Sequence, residues 1–449
     1  MNSGTKLRLT RRAGIVGILA TLLMLIVGWI ARLYWVDADK PAPPPWAKPV
    51  IRESAAVEAM QHLYAIDTTK FESIPEDERT AMSLGAVERE PVDDWTAIRK
   101  VVEDNVDLLA QLHTFVSEHD KLTFAPETDL RTSATSPTDR PLQFITLLKI
   151  EMGMAAYEGR IDDAIDSALT ALQLGRLLCQ GDGTVVQFLT ANTVFQVSLV
   201  NVNYLISKID DSNRLRYLAK ELEGITVDNS AFVSALIAEL EFSDAVHGQD
   251  FDLREIKDST TTLGFADCSD RWFWVWPERF YKENISKSQT IESYSEMVRN
   301  STRPTKDWTE HELRKFEEVE GHPILKQLHP NAVGCLTGWQ SYVLFQIIHE
   351  RFRRSQLVQR LICMSAAARA FEIETGALPD SLEDLVPDYI DQVPMDPWYK
   401  TKPISYRKAA RVIYGVGASG YAIGKPTPQP FEDPDNPAVV IPDGSTTKP

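Results

Sequence analysis

Residues 13–31 carry no charge across nineteen consecutive positions and are dense in Leu, Ile and Val. As a helix rising about 1.5 Å per residue the run spans about 28 Å, close to the roughly 30 Å of a bilayer's hydrocarbon core. Trp29, Tyr34 and Trp35 cluster at its far end, where amphipathic rings favour the headgroup level. Residues 13–35 are therefore expected to form a transmembrane anchor. The preceding segment, 1–12, holds Lys6, Arg8, Arg11 and Arg12 and no acid, a bias that keeps it cytoplasmic and puts the bulk of the chain on the periplasmic, extracytoplasmic side. Arg32, Lys40 and Lys48 beyond the run reduce this asymmetry without reversing it. A cleaved signal peptide is the competing reading, with Val36-Asp37-Ala38 as a loose cleavage site. The apolar run, however, exceeds the usual stretch of about 7–15 residues and ends in bulky aromatics.

Residues 36–50 follow as a proline-rich linker, extended at about 3.1 Å per residue and so lifting the next segment off the membrane by roughly 30 Å at most. From there to about residue 376 apolar positions recur with the helical period. Helices are expected over 55–66, 93–118, 142–158, 161–178, 185–209, 213–222, 230–246, 283–298, 308–319 and 338–375. In 161–178, Ile161, Ile165, Ala168 and Leu172 share one face, and Asp162 and Asp163 occupy the first turn, where negative charge complements the helix dipole. Gln180-Gly181-Asp182-Gly183 stops it. Ala155-Ala156-Tyr157-Glu158-Gly159-Arg160, followed by Ala164, Ala168 and Leu169, looks like one tetratricopeptide-type hairpin. No matching period of about 34 residues flanks it, so a local helix pair inside an irregular bundle is the expectation.

The most specific pattern lies in residues 356–442. A small-residue helix, Ala366-Ala367-Ala368-Arg369-Ala370-Phe371, leads into Thr375-Gly376-Ala377-Leu378-Pro379 and then Asp380-Ser381-Leu382-Glu383-Asp384-Leu385-Val386-Pro387. Asp380 and Glu383 have capping-box spacing, and Pro387 closes the short helix. Val393-Pro394-Met395-Asp396-Pro397-Trp398 reads as a proline-fixed turn, its Asp accepting backbone hydrogen bonds and its Trp covering the helix. Residues 404–407 and 411–416 read as a strand hairpin, and 438–441 as a further edge strand beyond the proline-rich 425–436.

This order resembles the globular part of the major pseudopilin of type II secretion systems: a helix, "G-x-x-P-x-S-L-x-x-L", "L-P-x-D-P-W", then a small antiparallel sheet. The match covers about a fifth of the chain and departs from the family in three ways. Some 300 residues separate anchor from module, no prepilin-peptidase site precedes the anchor, and Gly417-Ala418-Ser419-Gly420-Tyr421 stands where the family's calcium loop carries aspartates. With only Asp433 and Asp435 nearby, too few oxygen ligands remain for a hard cation. The resemblance implies a packing module used by exported bacterial proteins; it does not imply polymerisation into a filament.

Composition adds exclusions. The formal net charge of -17 repels phosphate backbones, so no nucleic-acid partner is expected. The one basic cluster, His349-Glu350-Arg351-Phe352-Arg353-Arg354, reads as a solvated helix face. Cys179, Cys268, Cys335 and Cys363 lack metal-ligand spacing; they are one or two disulfides or buried free thiols. His311-Glu312-Leu313-Arg314-Lys315 begins like a zinc-protease helix but lacks the second His, and no nucleophile elbow, P-loop or dinucleotide fingerprint occurs. Trp272-Phe273-Trp274-Val275-Trp276-Pro277, with Phe280 and Tyr281, is an unusual aromatic run; it either plugs a gap in the bundle or offers Trp272, Trp274 and Trp276 to a ligand.

The expected fold is mainly α: an N-terminal transmembrane helix, an irregular α-helical bundle and a small C-terminal α+β pseudopilin-like module with a short antiparallel sheet. The expected division is 1–12 basic segment, 13–35 anchor, 36–50 linker, 51–355 helical domain, 356–442 module and 443–449 disordered tail. The expected function is a membrane-anchored interaction or scaffold protein of the bacterial envelope, with a protein partner, no catalytic role and no cofactor. The alternatives are an exported hydrolase built from scattered carboxylates and histidines, or a glycan-binding module using the run 272–281.

Overall fold

A computed structural model describes residues 41–45, 47–48, 51–86, 95–125, 139–246, 283–301, 332–399, 402–415 and 437–443. The expected anchor 13–35, the segment 1–12, the helix expected at 308–319 and the run containing Trp272, Trp274 and Trp276 lie outside the described residues. The chain divides into two compact units, one of Met1–Trp46, His247–Glu296 and Thr309–Leu344, the other of Ala47–Val246, Met297–Trp308 and Phe345–Pro449. The first unit's described parts are mainly helical backbone. The side-chain contacts described below are those of the second; of the first, only the helical backbone of 283–296 and 332–344 enters the element order.

The described chain is mainly helical, with one three-stranded antiparallel sheet. In order the helices are α1 (Ser54–Ala65), α2 (Thr69–Glu72), α3 (Glu76–Gly85), α4 (Trp95–Asp104), α5 (Val106–Glu118), α6 (Asp139–Tyr157), α7 (Ile161–Cys179), α8 (Val185–Ile206), α9 (Ser212–Gly224), α10 (Asn229–Val246), α11 (Glu283–Asn300) and α12 (Ala332–Thr375). The single helix expected over 93–118 is two. Asn105 breaks it: its amide nitrogen donates to the Val101 carbonyl at 2.9 Å, giving the backbone an alternative to the helical ladder. The helices α2 and α3 had no counterpart in the periodicity: α2 is four residues long, too short to show one, and α3, ten residues long, buries only Ser83 and so carries no apolar stripe. Pro75 followed by Glu76, Asp77 and Glu78 is nevertheless a readable helix start for α3.

The core sits around α7, which packs between α6 and α8. Gly159 takes a φ of 76° in the α6–α7 turn, a conformation that favours glycine. The buried face of α7 is wider than expected: Ala164, Ile165, Ala168, Ala171, Leu172, Leu174 and Leu178 are all inside, whereas Ile161 is only half-buried. Gly175 lets α8 approach closely, since a Cβ there would lie 2.8 Å from the Phe195 Cα. Among the described residues α8 is the one helix long and apolar enough to cross a membrane, with a mean hydropathy of 1.3 and 61% of that window buried. Its apolar character on all sides has a plainer cause: it touches α6, α7 and α10 and buries Phe188, Val194, Phe195, Leu199, Val202 and Leu205. Gln187 caps its start by accepting from the Thr184 N–H at 2.9 Å.

The last helix, α12, runs 44 residues without interruption, longer than the expected 338–375. Leu357, Val358, Leu361, Ile362, Met364 and the alanines 366–368 and 370 are buried, so its C-terminal half is core on nearly every side. Polar side chains fasten it to the α9 end: Gln359 Nε2 donates to the Leu222 carbonyl at 2.5 Å, Gln356 Nε2 to the Val227 carbonyl at 2.7 Å, and Cys363 Sγ to the Ala219 carbonyl at 3.2 Å. Gly376, φ 78°, ends it, its N–H returning to the Glu372 carbonyl at 2.8 Å.

A short 3-10 turn, Leu382–Leu385, follows. Its cap is shifted one residue from the expected Asp380/Glu383 pair. Asp384 reaches back to the N–H groups of Ser381 (2.9 Å) and Asp380 (2.8 Å), while Asp380 pairs with Lys408 at 2.6 Å. The Asp-Pro-Trp turn closes as expected, with the Trp398 N–H donating to Asp396 Oδ1 at 2.9 Å and Trp398 buried. Then come β1 (Ser405–Arg407), β2 (Val412–Tyr414) and β3 (Ala438–Val440), in sheet order β1-β2-β3, with Tyr406 opposite Ile413 and Ile413 opposite Val439.

Candidate functional site

Two polar clusters stand out from this apolar frame. The first joins three helices near the surface. His113 of α5 places Nδ1 2.8 Å from Thr170 Oγ1 of α7 and Nε2 3.0 Å from Glu151 Oε2 of α6. Ser167 Oγ, a turn before Thr170, lies 2.9 Å from the same Glu151 oxygen and 2.9 Å from the Asp163 carbonyl. Thr170 and Ser167 face α5 and α6 because residues three apart share a helix face, and Asp166 and Asp163 continue that face. The hydrogen bond to Glu151 raises the His113 pKa above its ordinary value, against the opposing effect of burial, with the Glu151 and Asp166 charges adding to the rise. Asp166 is itself raised, first by partial desolvation, then by the neighbouring Asp163 and Asp162, while His113 works the other way.

Chemically this is a proton-holding chain. A carboxylate only accepts, so Nε2 carries a proton toward Glu151 in either charge state. Thr170 then donates to Nδ1 when the ring is neutral and accepts from it when the ring is charged. Hydroxyl, imidazole and carboxylate in series also have the connectivity of a hydrolytic triad. Thr170, however, sits inside α7, where backbone N–H groups are spent on the helix, so the helix offers no pair of donors for an oxyanion.

The second cluster is buried where α12 meets the Asp-Pro-Trp turn. Arg353 donates through Nη1 to the Pro397 carbonyl at 2.7 Å and through Nη2 to the Ser301 carbonyl; Arg360 Nη1 donates to the Met395 carbonyl at 2.5 Å. His349 Nε2 is 3.0 Å from that same Ser301 carbonyl and must donate to it. Burial and the Arg353 charge push the His349 pKa down to about 3, so the ring is neutral. Burial likewise lowers Arg353, to about 10, with the Arg360 charge acting the same way and the buried Asp396 opposing. Neither base gains or loses a proton near neutrality, which makes this cluster a fastening and not a reaction centre.

That geometry corrects one expectation. The run 349–354 is not a solvated basic face: His349, Phe352 and Arg353 point into the domain, and Arg351 is the exposed cation of the run. Cys179 and Cys363 are buried free thiols, and burial pushes both well above the ordinary thiol range. The side chains of Cys268 and Cys335, and all of Trp272, Trp274, Trp276, His311 and His322, lie outside the described residues. Among the described residues no group of three or more His, Cys, Asp or Glu side chains is placed to hold a metal ion. No motif in the sequence singles out His113. The 163/166/167/170 spacing on α7 was readable, but its meeting with partners 57 and 16 residues away was not.

Comparison with family models, with curated proteins and with solved structures finds no match to this chain.

Proposed function

We propose that this chain is a membrane-anchored interaction or scaffold protein of a bacterial envelope. Residues 13–35 are its single span, its N-terminus is cytoplasmic, and its helical bulk presents a surface to a protein partner outside the membrane. The observation that carries the reading is the arrangement at the C-terminal end: a long helix, a capped turn, the Asp396-Pro397-Trp398 turn and a three-stranded antiparallel sheet. That order supports the pseudopilin-like reading of 356–442, and the third strand falls where the sequence pattern put it. The second buried cluster supports a scaffolding role too, because its strongest polar groups are spent on internal fastening.

A second reading, an exported hydrolase, is favoured by one specific observation, the Thr170–His113–Glu151 chain. It lacks oxyanion donors on α7. The third, glycan binding through Trp272, Trp274 and Trp276, rests on sequence alone.

The test is purification of the detergent-solubilised intact chain after cross-linking in cells. A protein partner recovered in fixed proportion supports the scaffold reading. Turnover of an ester, amide or glycan of the envelope, lost in a Thr170→Val variant and with no partner recovered, overturns it in favour of the hydrolase.

A further inference from the structure

The site around His113 does more than occupy space. Besides the buried apolar face of α5 (Leu108, Leu109, Leu112, Phe115 and Val116), His113 is a polar fastening of α5 to the α6–α7 hairpin, one side chain that touches both helices. The chain leaving α5 is tied by Thr123 N–H to the Ala56 carbonyl at 3.1 Å, by Phe124 N–H to the Gly181 carbonyl at 2.7 Å, by Lys121 Nζ to Glu53 at 3.1 Å and by the buried Leu122 and Phe124. The imidazole is half-exposed, so protons reach it from solvent, yet its two nitrogens are held by fixed partners. The charged groups facing it are Glu151 from α6 and Asp166 from α7, with Asp162 and Asp163 behind Asp166. All four are acids. Hydroxyls of Ser167 and Thr170 complete the ring of neighbours.

We propose that His113 is a pH-dependent clasp, which closes α5 more firmly on the α6–α7 hairpin when the medium is mildly acidic and loosens it when the medium turns alkaline. The imidazolium meets Glu151 as an ion pair and Asp166 as a second, longer-range attraction; the neutral ring keeps its hydrogen bonds but loses both charge terms. The sign follows from linkage. A histidine raised on folding contributes stability that is fully present below its unfolded pKa, near 6.5, and is lost as pH rises through the folded value. The solvent-exposed side of the pair limits the effect, so local opening of α5 changes on the order of two- to fivefold across the transition. This device is independent of the scaffold reading, since it concerns how one helix is held and not what the chain binds.

Amide hydrogen exchange on the intact solubilised protein at pH 6 and pH 8.5, corrected for intrinsic exchange, reads the opening of α5 directly. The clasp requires protection of residues 109–116 to fall at the higher pH in the wild type and to fall clearly less in Glu151→Gln, where the Asp166 attraction alone remains. Loss that is equal in both proteins, or none in the wild type, overturns it. A second readout is taken on the wild type: the His113 ring resonance, assigned by its disappearance in His113→Gln, must titrate with a midpoint above 6.5. A midpoint at or below that value contradicts the clasp outright.

Discussion

Arg411 and Glu372 meet in a two-pronged ion pair, Nη1 to Oε1 at 2.6 Å and Nη2 to Oε2 at 2.9 Å, which ties the turn before β2 to the last turns of α12. The same arginine donates to the carbonyls of Ile441 (3.0 Å) and Pro442 (2.6 Å), so one side chain gathers helix, turn and the end of β3. Arg369 reinforces the carboxylate from one turn away at 2.5 Å.

Removing this pair weakens the module. Arg411→Ala is expected to cost about 1–2 kcal/mol, the range of a charge-assisted pair partly reached by solvent. Arg411 also sits at φ 54°, in the left-handed region. Arg411→Gly therefore loses the same contacts but relieves the backbone, and is expected to cost less than Arg411→Ala by about 1 kcal/mol. Urea unfolding of both variants checks the order. The Arg411 hydrogen bond holds Glu372 below the ordinary carboxylate range. Stability from the pair is thus full above the unfolded carboxylate pKa and lost as pH falls through the depressed folded value, so the gap between wild type and Arg411→Ala closes in acid.

Arg353 is the side chain the second cluster least tolerates losing. Arg353→Ala strips donors from the Pro397 carbonyl and from the buried Ser301 carbonyl and leaves Asp396 with one fewer cation. The expected loss is about 3–5 kcal/mol. Arg353→Lys keeps the charge but not the planar fork and is expected to recover less than half of it. Thermal unfolding followed by circular dichroism distinguishes the two.

Helix approach gives a sharper contrast. A methyl at Gly175 would stand 2.8 Å from the Phe195 Cα and 2.9 Å from its nitrogen, and backbone cannot yield as a side chain can. Gly175→Ala is expected to destabilise by about 1–3 kcal/mol. At Gly224 nothing lies within 4 Å, and Gly224→Ala is expected to be neutral or slightly stabilising. Denaturant midpoints of the two variants, measured side by side, test the closeness of α7 and α8.

The thiols of Cys179 and Cys363 are expected to resist alkylation in the folded protein and to react fully in denaturant, because a buried thiol stays protonated and shielded. Mass spectrometry after pulsed alkylation reads both sites in one experiment.

How much of this was legible beforehand differs by level. Long helices with regular apolar spacing were read within a few residues, and so were all three strands, because alternation and turn residues are local signals. Short α2, the break at Asn105 and the one-residue shift of the cap to Asp384 were not, since each depends on which of several competent side chains reaches the backbone first. The helix run 349–354 was misread for a related reason: a cationic sequence says nothing about whether carbonyls of Ser301 and Pro397 wait to receive it. His113, Glu151 and Thr170 come from three helices, and no spacing within one segment announces them.

The most direct test of the proposed function is the fate of the intact chain when cells are opened. Ultracentrifugation of the lysate should leave it in the membrane pellet with residues 1–35 still attached. There it should resist carbonate and be degraded by protease added to the periplasmic side. Intact protein in the supernatant, its first residues retained, would contradict a membrane-held envelope scaffold.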